Sequence, residues 1–537
     1  MTLNTKKLQR AFSIQTEEWL PAFVENWPTD QILKVGHQNK YKDDFLKEIK
    51  SYVKKKEWVF PKKPVHFISD LHADADALLK SLIGAGFISK TGANDADFEV
   101  LDKAKQGVLI IGGDCFDKGP SNLRLLDVIK LIKDAGVSVE ILAGNHDIRT
   151  YVGLTIGENQ KTVAEHMFVR MGRKTIPLFR EIYKKYLHKK TDVDTLLSKE
   201  EVKKRLFPSK EWFKVYAEKM DGLIPPKKIE REASRIKEKI AEINKYLERT
   251  GFTHGMLYAT VEKAKELLMD PEGEYAWFFR DMKLAIQDGS FLFLHAGLDD
   301  FSTDWIGQLG VEGLNDKFKI LMRNDPFELY NGHVGNVFRT KYRDTDFPFS
   351  PQSVKKLHAR GINAIVHGHR NTIQGHRVVI KRGLLNFECD TSLDRDTRKV
   401  EGLQGFGASW LTIKPSGSIE AFSTDYPAVK KMKIEKLGGK ITKKLPTKKE
   451  IKMPKDKFKT KAKIDVEVRE NRAQLQRIFE SLSEDLASGV LKLEGDKDKI
   501  LAQLPEVVSL AVNGETSAAH GEISFKISWG EKPKKKK

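Results

Sequence analysis

Apolar positions near the start of the chain recur at helical spacing. Trp19, Phe23 and Trp27 lie four apart, and "YKDDFLKEIKSYVKKKEW" is amphipathic, so residues 1–60 are expected to form a helical segment packed on the main domain. From about residue 64 the period changes. Short apolar runs, "VHFIS", "GVLII", "SVEILA", "FLFL" and "NAIV", alternate with helical stretches such as 121–135, which predicts the buried strands of an α/β domain over 61–425. Between about 150 and 288 the pattern turns helical and highly charged. There Ile229, Ala233, Ile236, Ile240, Ile243 and Leu247 alternate spacings of four and three, a coiled-coil-like seam. It predicts one arm of an inserted helical hairpin. The seam is expected to be a packing face, with a lid or partner-docking arm as the bolder alternative.

Lysine dominates further on. Residues 430–463 hold fifteen lysines against Glu435, Glu450 and Asp456, with Pro446 and Pro454 among them, so 426–463 reads as a linker. Over 464–530 "KIDVEV" alternates as a strand, Leu475, Ile478, Phe479, Leu482 and Leu486 share a helix face, and "SLAVNG" and "ISFKISW" form a hairpin pattern. This order resembles the small amphi-Trp domain, here with Trp529, and a protein partner for this α+β module is expected.

Charge changes the picture only through its location. The net charge is +19, of which the lysine-rich stretch supplies +12 and the tail "EKPKKKK" (531–537) +4, so the other 496 residues carry only +3. A near-neutral body with basic extensions makes contact with RNA, polyphosphate or acidic proteins a secondary expectation. With only Cys115 and Cys389, a disulfide framework or thiolate metal cluster is excluded and a reducing cytoplasm is expected. No apolar run approaches a membrane span and the opening residues have no h-region, so no membrane role is expected.

The apolar runs share one feature: each ends in residues able to hold a metal. "VHFIS" leads to Asp70 and His72, "GVLII" to Asp114 and Asp117, "SVEILA" to Asn145, His146 and Asp147, "FLFL" to His295, and "NAIV" to His367 and His369. Sites in open α/β sheets form at the carboxyl ends of strands, so these segments are expected to converge. An Asp/Asn/His set without thiolates suits Mn²⁺, Fe or Zn²⁺, and a carboxylate bridging two cations would account for Asp114 at the end of a buried strand.

In order, D-x-H (70–72), G-D-x-x-D-K-G (113–119), G-N-H-D (144–147), His295 and G-H (368–369) resemble the motifs of the calcineurin-like metallophosphoesterase superfamily. The resemblance implies a β-sandwich flanked by helices, interrupted here by the helical insertion. Asn371 stands where many phosphodiesterases have a second His, which with "RNDPF" (323–327) is more similar to the phosphoprotein phosphatase branch. The implied activity is two-metal hydrolysis of phosphomonoesters, Ser/Thr phosphatase-like, on phosphoproteins or small phosphoesters, by in-line attack of a metal-bridging hydroxide. The alternative is a phosphodiesterase or pyrophosphohydrolase on nucleotides, RNA ends or polyphosphate, recruited by the lysine segments.

Carried over by residue, one metal takes Asp70, His72 and Asp114, and the other Asp114, Asn145, His295 and His369. His146 protonates the leaving group with Asp117 fixing its tautomer, and Lys118, Asn145 and Arg339 bind phosphate, with Arg343 next after Arg339. Lys118 replaces the family's usual arginine, so a point charge stands in for a bidentate fork. Set aside from the site, His66 is expected to be a satisfied core histidine and His367 to point away. His333 and His376 are expected in exposed loops, and Cys115 as a small buried residue.

Overall fold

The computed structural model describes residues 23–28, 42–155, 164–189, 197–220, 226–343, 346–445, 490–494, 499–503, 509–516 and 521–528. The strands that matter here, in chain order, are β1 (Val24–Asn26), β2 (Val65–Ile68), β3 (Val108–Ile111) and β4 (Val139–Ile141). They are followed by β5 (Ala285–Asp288), β6 (Phe291–Leu294), β7 (Ala364–His367), β8 (Arg377–Lys381) and β9 (Leu384–Glu388). Last come β10 (Ser409–Ile413), β11 (Ser418–Ser423) and β12 (Val429–Lys433).

One sheet runs β1-β12-β11-β10-β2-β3-β4 and the other β8-β9-β7-β6-β5. Within the first, β2, β3 and β4 are parallel, and within the second β6, β7 and β9 are parallel. β2, β3, β6 and β7 are almost wholly apolar on both faces because both faces are covered, whereas β4 bears Glu140 and is only partly buried. Phe67, Ile110, Leu411 and Ile413 of the first sheet share one core with Phe293, Val366, Leu385 and Phe387 of the second. The rings of Phe67 and Phe293 lie 6.0 Å apart between the layers. The intervening residues, Ile68, Leu109, Ile111 and Ile141 on one side and Leu292, Leu294 and Ile365 on the other, pack outward against helices. The architecture is a two-sheet sandwich flanked by helices.

Four helical elements bear on the site: α1 (Asn145–Leu154), α2 (Met167–Met171), α3 (Pro226–Thr250) and α4 (His254–Leu268). The seam of α3 is a packing face, with Ile229, Ile236, Ile243 and Leu247 buried, and α3 lies against α2 and the helix Trp212–Met220. Its apolar side is therefore already covered. Among the described residues no helix is long and apolar enough to cross a membrane.

Two expectations need correction. Phe23 to Trp27 are not helical: Val24–Asn26 is a strand parallel to Val429–Lys431, with Trp27 buried and Phe23 exposed. A period of two, read over so few residues, was masked by the chance spacing of the aromatics; Trp19 lies outside the described residues. Nor does a linker begin at 426. Ala428, Lys430, Met432 and Ile434 alternate inward from β12, all buried, and Lys440–Thr442 pairs with Glu57–Val59. The Lys430 ammonium sits 3.9 Å over the Tyr426 ring and donates to the His376 carbonyl at 2.8 Å, a snorkelling cation whose stem fills the sheet interface. Composition concealed the alternation.

Residues 453–537 form a second compact unit. Its described parts are two antiparallel hairpins, Val490–Glu494 with Lys499–Gln503 and Ser509–Thr516 with Gly521–Ser528. "KIDVEV", the expected helix and Trp529 lie outside the described residues.

Candidate active site

The parallel strands β2, β3 and β4, and β6 and β7 in the other sheet, deliver their carboxyl ends to one place. Asp70 N donates to Gly113 O (3.1 Å), His72 N to Asp114 O (2.9 Å) and Ala73 N to Cys115 O (2.7 Å), knitting the first two loops together. Of the ten described non-glycine residues with positive φ, seven are here: Asp70, His72, Ala73, Asp114, Asp117, Lys118 and His369. Left-handed backbone at such residues is costly and persists where surrounding structure enforces it. Asp147 is one enforcer. Its carboxylate accepts from the backbone N–H groups of Asp114, Cys115, Phe116 and Gly144 at 2.8–3.1 Å. Gly144 is another: a Cβ there would fall 2.0 Å from Asp114 N, so only glycine lets the loops approach.

Two groups of donor atoms result. Those of His72, Asp114 and His146 lie within 4.8 Å of one another, and so do those of Asp114, His295 and His369; Asp114 belongs to both. Asp70 adjoins them. Its Oδ1 is 4.0 Å from His72 Nε2, and its Oδ2 accepts from Ser69 Oγ (2.6 Å) and His369 N (3.0 Å). His295 Nδ1 donates to the Gly112 carbonyl at 2.7 Å, which aims Nε2 toward Asp114 Oδ1, 3.5 Å away. His369 Nε2 donates to the Arg339 carbonyl at 3.1 Å, leaving Nδ1 for the cluster.

These donors fit divalent cations. Asn145 Oδ1 and His295 Nε2 are buried without hydrogen-bond partners, which is costly unless something else accepts their lone pairs. The Lys118 ammonium stands 2.7 Å from His72 Nε2, a positive charge at a place that asks for one. Burial and the neighbouring Asp114 charge push the Asp70 carboxyl up, although His295 and hydrogen bonds oppose this. Burial would lower His295, but Asp114 and Asp70 raise it to about 10. A proton there does the compensating work that a cation would do.

The acid pair sits beside this cluster. His146 Nδ1 donates to Asp117 Oδ2 at 2.8 Å and its Nε2 lies 3.9 Å from Asp114 Oδ2. Burial and the Arg149 guanidinium hold His146 below its usual range. Burial alone would raise Asp117, but its hydrogen bond to His146 and the nearby Arg149 push it well down, so it stays ionised. Support comes from the helical insertion and from α1. Thr175 Oγ1 donates to Asp117 Oδ1 at 2.9 Å, and Arg149 Nη2 to Asp117 Oδ2 at 2.7 Å. Glu181 accepts from Ser121, Asn122 and Leu123, and Asn122 Oδ1 receives the Asp117 N–H. Thr175, Glu181, Arg149 and the clamp role of Asp147 were missed from sequence; only Asp147 had a motif neighbour to flag it.

Asp70, His72, Asp114, Asp117, Lys118, Asn145, His146, His295 and His369 are thus gathered in one place. Arg339 adjoins them through its carbonyl, which accepts from His369, while its Nε donates to Gly335 O at 3.2 Å and its guanidinium lies 4.7 Å from the Tyr330 ring centre. Arg343 is exposed, and Asn371 bonds to Ser392 and Glu401, outside the donor groups. His367 faces Arg370, whose Nη2 lies 2.6 Å from its Nε2. His66 Nδ1 bonds to Thr412 Oγ1 at 2.7 Å inside the sheet. Cys115 is buried, and burial followed by nearby carboxylates pushes its thiol up, away from reactivity. Two histidines differ from expectation. His376 is buried, because the loop bearing it is covered by the Lys430 strand, and His333 opens a helix, its Nδ1 2.9 Å from Asp299.

A sequence profile of the calcineurin-like phosphoesterase family matches residues 63–228. No curated protein matches the chain by sequence. Among solved structures, the chain is similar to the cold-active protein-tyrosine phosphatase of a psychrophilic Shewanella species, at 14% identity and a TM-score of 0.37, over 70% of this chain and 83% of that one. It is also similar to a protein serine/threonine phosphatase from Saccharomyces cerevisiae with similarity to human phosphatase PP5, at 11% identity and a TM-score of 0.30, over 72% and 93% of the two chains.

Proposed function

We propose that this chain, a metal-dependent phosphoester hydrolase by its calcineurin-like phosphoesterase domain, acts on phosphomonoesters, with Ser/Thr phosphoproteins as the leading substrate class. The observation that carries this reading is the sharing of Asp114 between two groups of metal donors. Asp70, His72 and Asp114 would hold one divalent cation, and Asp114, Asn145, His295 and His369 the other. When bound, the pair would supply Lewis-acid polarisation of the phosphoryl group and activation of a water.

The chain's own residues do the rest. Asp117, kept ionised, accepts the Nδ1–H of His146 and, against burial and Arg149, stabilises the imidazolium form, whose Nε2–H passes to the leaving oxygen as the P–O bond breaks. Lys118, Asn145 and Arg339 bind phosphoryl oxygens. The polyanion alternative loses part of its ground, since Lys430 is buried and Lys431 pairs with Glu420 within the sheet. The C-terminal unit, whose hairpin Ser509–Thr516 with Gly521–Ser528 was expected, we read as a partner-docking module.

The test compares para-nitrophenyl phosphate with its bis-ester, Mn²⁺ added, for wild type and Asp114→Asn. Monoester turnover that is lost in the variant supports the reading. Turnover of the diester alone, or no turnover by folded, metal-loaded protein, overturns it.

A further inference from the structure

Four cationic side chains gather beside the acid pair, three of them from the insertion: Arg149 of α1, Arg170 of α2, Lys174 of the turn Arg173–Thr175, and Lys239 of α3. Two have carboxylate partners. Arg149 bonds Asp117 at 2.7 Å, and Arg170 pairs with Glu232 on α3. Glu242, three residues beyond Lys239 on α3, is engaged by Arg173 at 3.8 Å. Lys174 and Lys239 have no hydrogen bond or ion pair among the described residues.

Their placement is specific. Gly172 has φ +74°, and the position a Cβ would take there is 2.5 Å from Lys239 Nζ. The ammonium is therefore pressed against the short link between Arg170 and Lys174. Burial, then the charges of Arg149 and Arg170, lower Lys239 to about 8, while Lys174, whose side chain reaches the surface, is lowered by partial burial and by Lys118 and Arg149. Arg149 Nε is buried without a partner. Tyr330 faces Arg170, Arg149 and Arg339, which bring its hydroxyl down despite burial.

Mutual repulsion within this group, with Lys239 half-buried and Arg149 Nε buried without a partner, is relieved when an anion joins it. One substrate phosphate is already served by Lys118, Asn145 and Arg339 together with the cations of the donor groups. The additional charge calls for a second anion. Two ammonium groups beside two guanidinium groups that keep unused N–H donors offer more donors than the two oxygens of a carboxylate use, which favours a tetrahedral dianion.

We propose that Arg149, Arg170, Lys174 and Lys239 form a second anion subsite that binds another phosphoryl group of the same substrate, so that bisphosphorylated substrates are preferred. The inference rests on the phosphomonoesterase reading. The second phosphate is held and the first is hydrolysed: water adds to phosphorus, the P–O ester bond breaks, the leaving oxygen takes the Nε2 proton of His146, and the proton given up by the water goes to solvent, from which His146 is reprotonated.

The test measures kcat/KM of the full chain with Mn²⁺ on two substrate pairs, singly and doubly phosphorylated serine peptides, and fructose 6-phosphate with fructose 1,6-bisphosphate. Wild type is expected to favour the bisphosphorylated member of one pair by about tenfold or more, the pair favoured identifying a protein or a small-molecule source. In Lys239→Gln and in Lys174→Gln that preference should collapse toward one. Equal rates within both pairs overturn the subsite while leaving the phosphatase reading intact. A preference that survives both substitutions also overturns it. No turnover of any of the four by metal-loaded protein removes the phosphatase reading, and the subsite with it.

Discussion

The loops at the strand ends place their side chains through local backbone geometry, whereas the helices between 164 and 281 place theirs through contacts reached from far along the chain. Asp70, His72 and Asp114 stand within a few residues of a strand terminus, in left-handed conformations locked by backbone hydrogen bonds. Thr175 and Glu181 are some sixty residues from the groups they hold, Asp117 and Ser121 to Leu123. The strand ends determine which atoms are brought together. The insertion determines how rigidly the acid pair is held and what charge surrounds it.

Substitutions separate these contributions. The largest effect is expected at Asp114→Asn, which removes a donor common to both groups; monoester turnover should fall by about 10³-fold or more, read as initial rates with metal content measured in parallel. A variant that keeps its activity would break the distinction at its root. Asp117→Asn should lower kcat by about 10²- to 10⁴-fold, since His146 then loses its tautomer anchor, while metal content stays at the wild-type level. Thr175→Val reaches the same carboxylate from the insertion. It leaves Asp117 Oδ1 without that donor, and about a tenfold loss in kcat with KM little changed is expected. An unchanged kcat would reduce the insertion to a passive cover.

The smallest effect distinguishes a structural histidine from those of the site. Burial, with nearby Lys103 and Lys414, pushes His66 down to about 3, so it is neutral in the folded chain. The unfolded chain binds a proton there below about pH 6.5. The folded state thus keeps this contribution above pH 6.5 and loses it as pH falls toward 3, by about 1.4 kcal/mol per pH unit. Denaturant melts between pH 7 and 4 should show a shallower loss in His66→Gln than in wild type; identical slopes would remove His66 from that account.

The same contrast explains what could be read from sequence. The strand runs and the residues after them were legible because burial on both faces leaves a nearly continuous apolar run in four of the five, and because a site at a strand end is coded within a few positions. That His295, His369 and Asp114 would converge could be expected on that basis, whereas their pairing and the sandwich that carries them were implied only by the family resemblance. Arg149 looked like any surface-helix arginine, and Thr175 like any turn threonine. Their roles exist only through packing across dozens of residues, which no local spacing encodes. The strand Val429–Lys433 was hidden for a different reason: Lys430 occupies an inward position where alternation calls for an apolar residue, and its ammonium is satisfied by Tyr426 and a carbonyl.

Cation stoichiometry tests the shared role of Asp114 most directly. Equilibrium dialysis of the full chain against Mn²⁺, with metal counted per chain, should give two bound cations in wild type and fewer in both Asp114→Asn and His369→Ala. A single cation in wild type, or two retained when Asp114 is replaced, would contradict a centre built around that carboxylate.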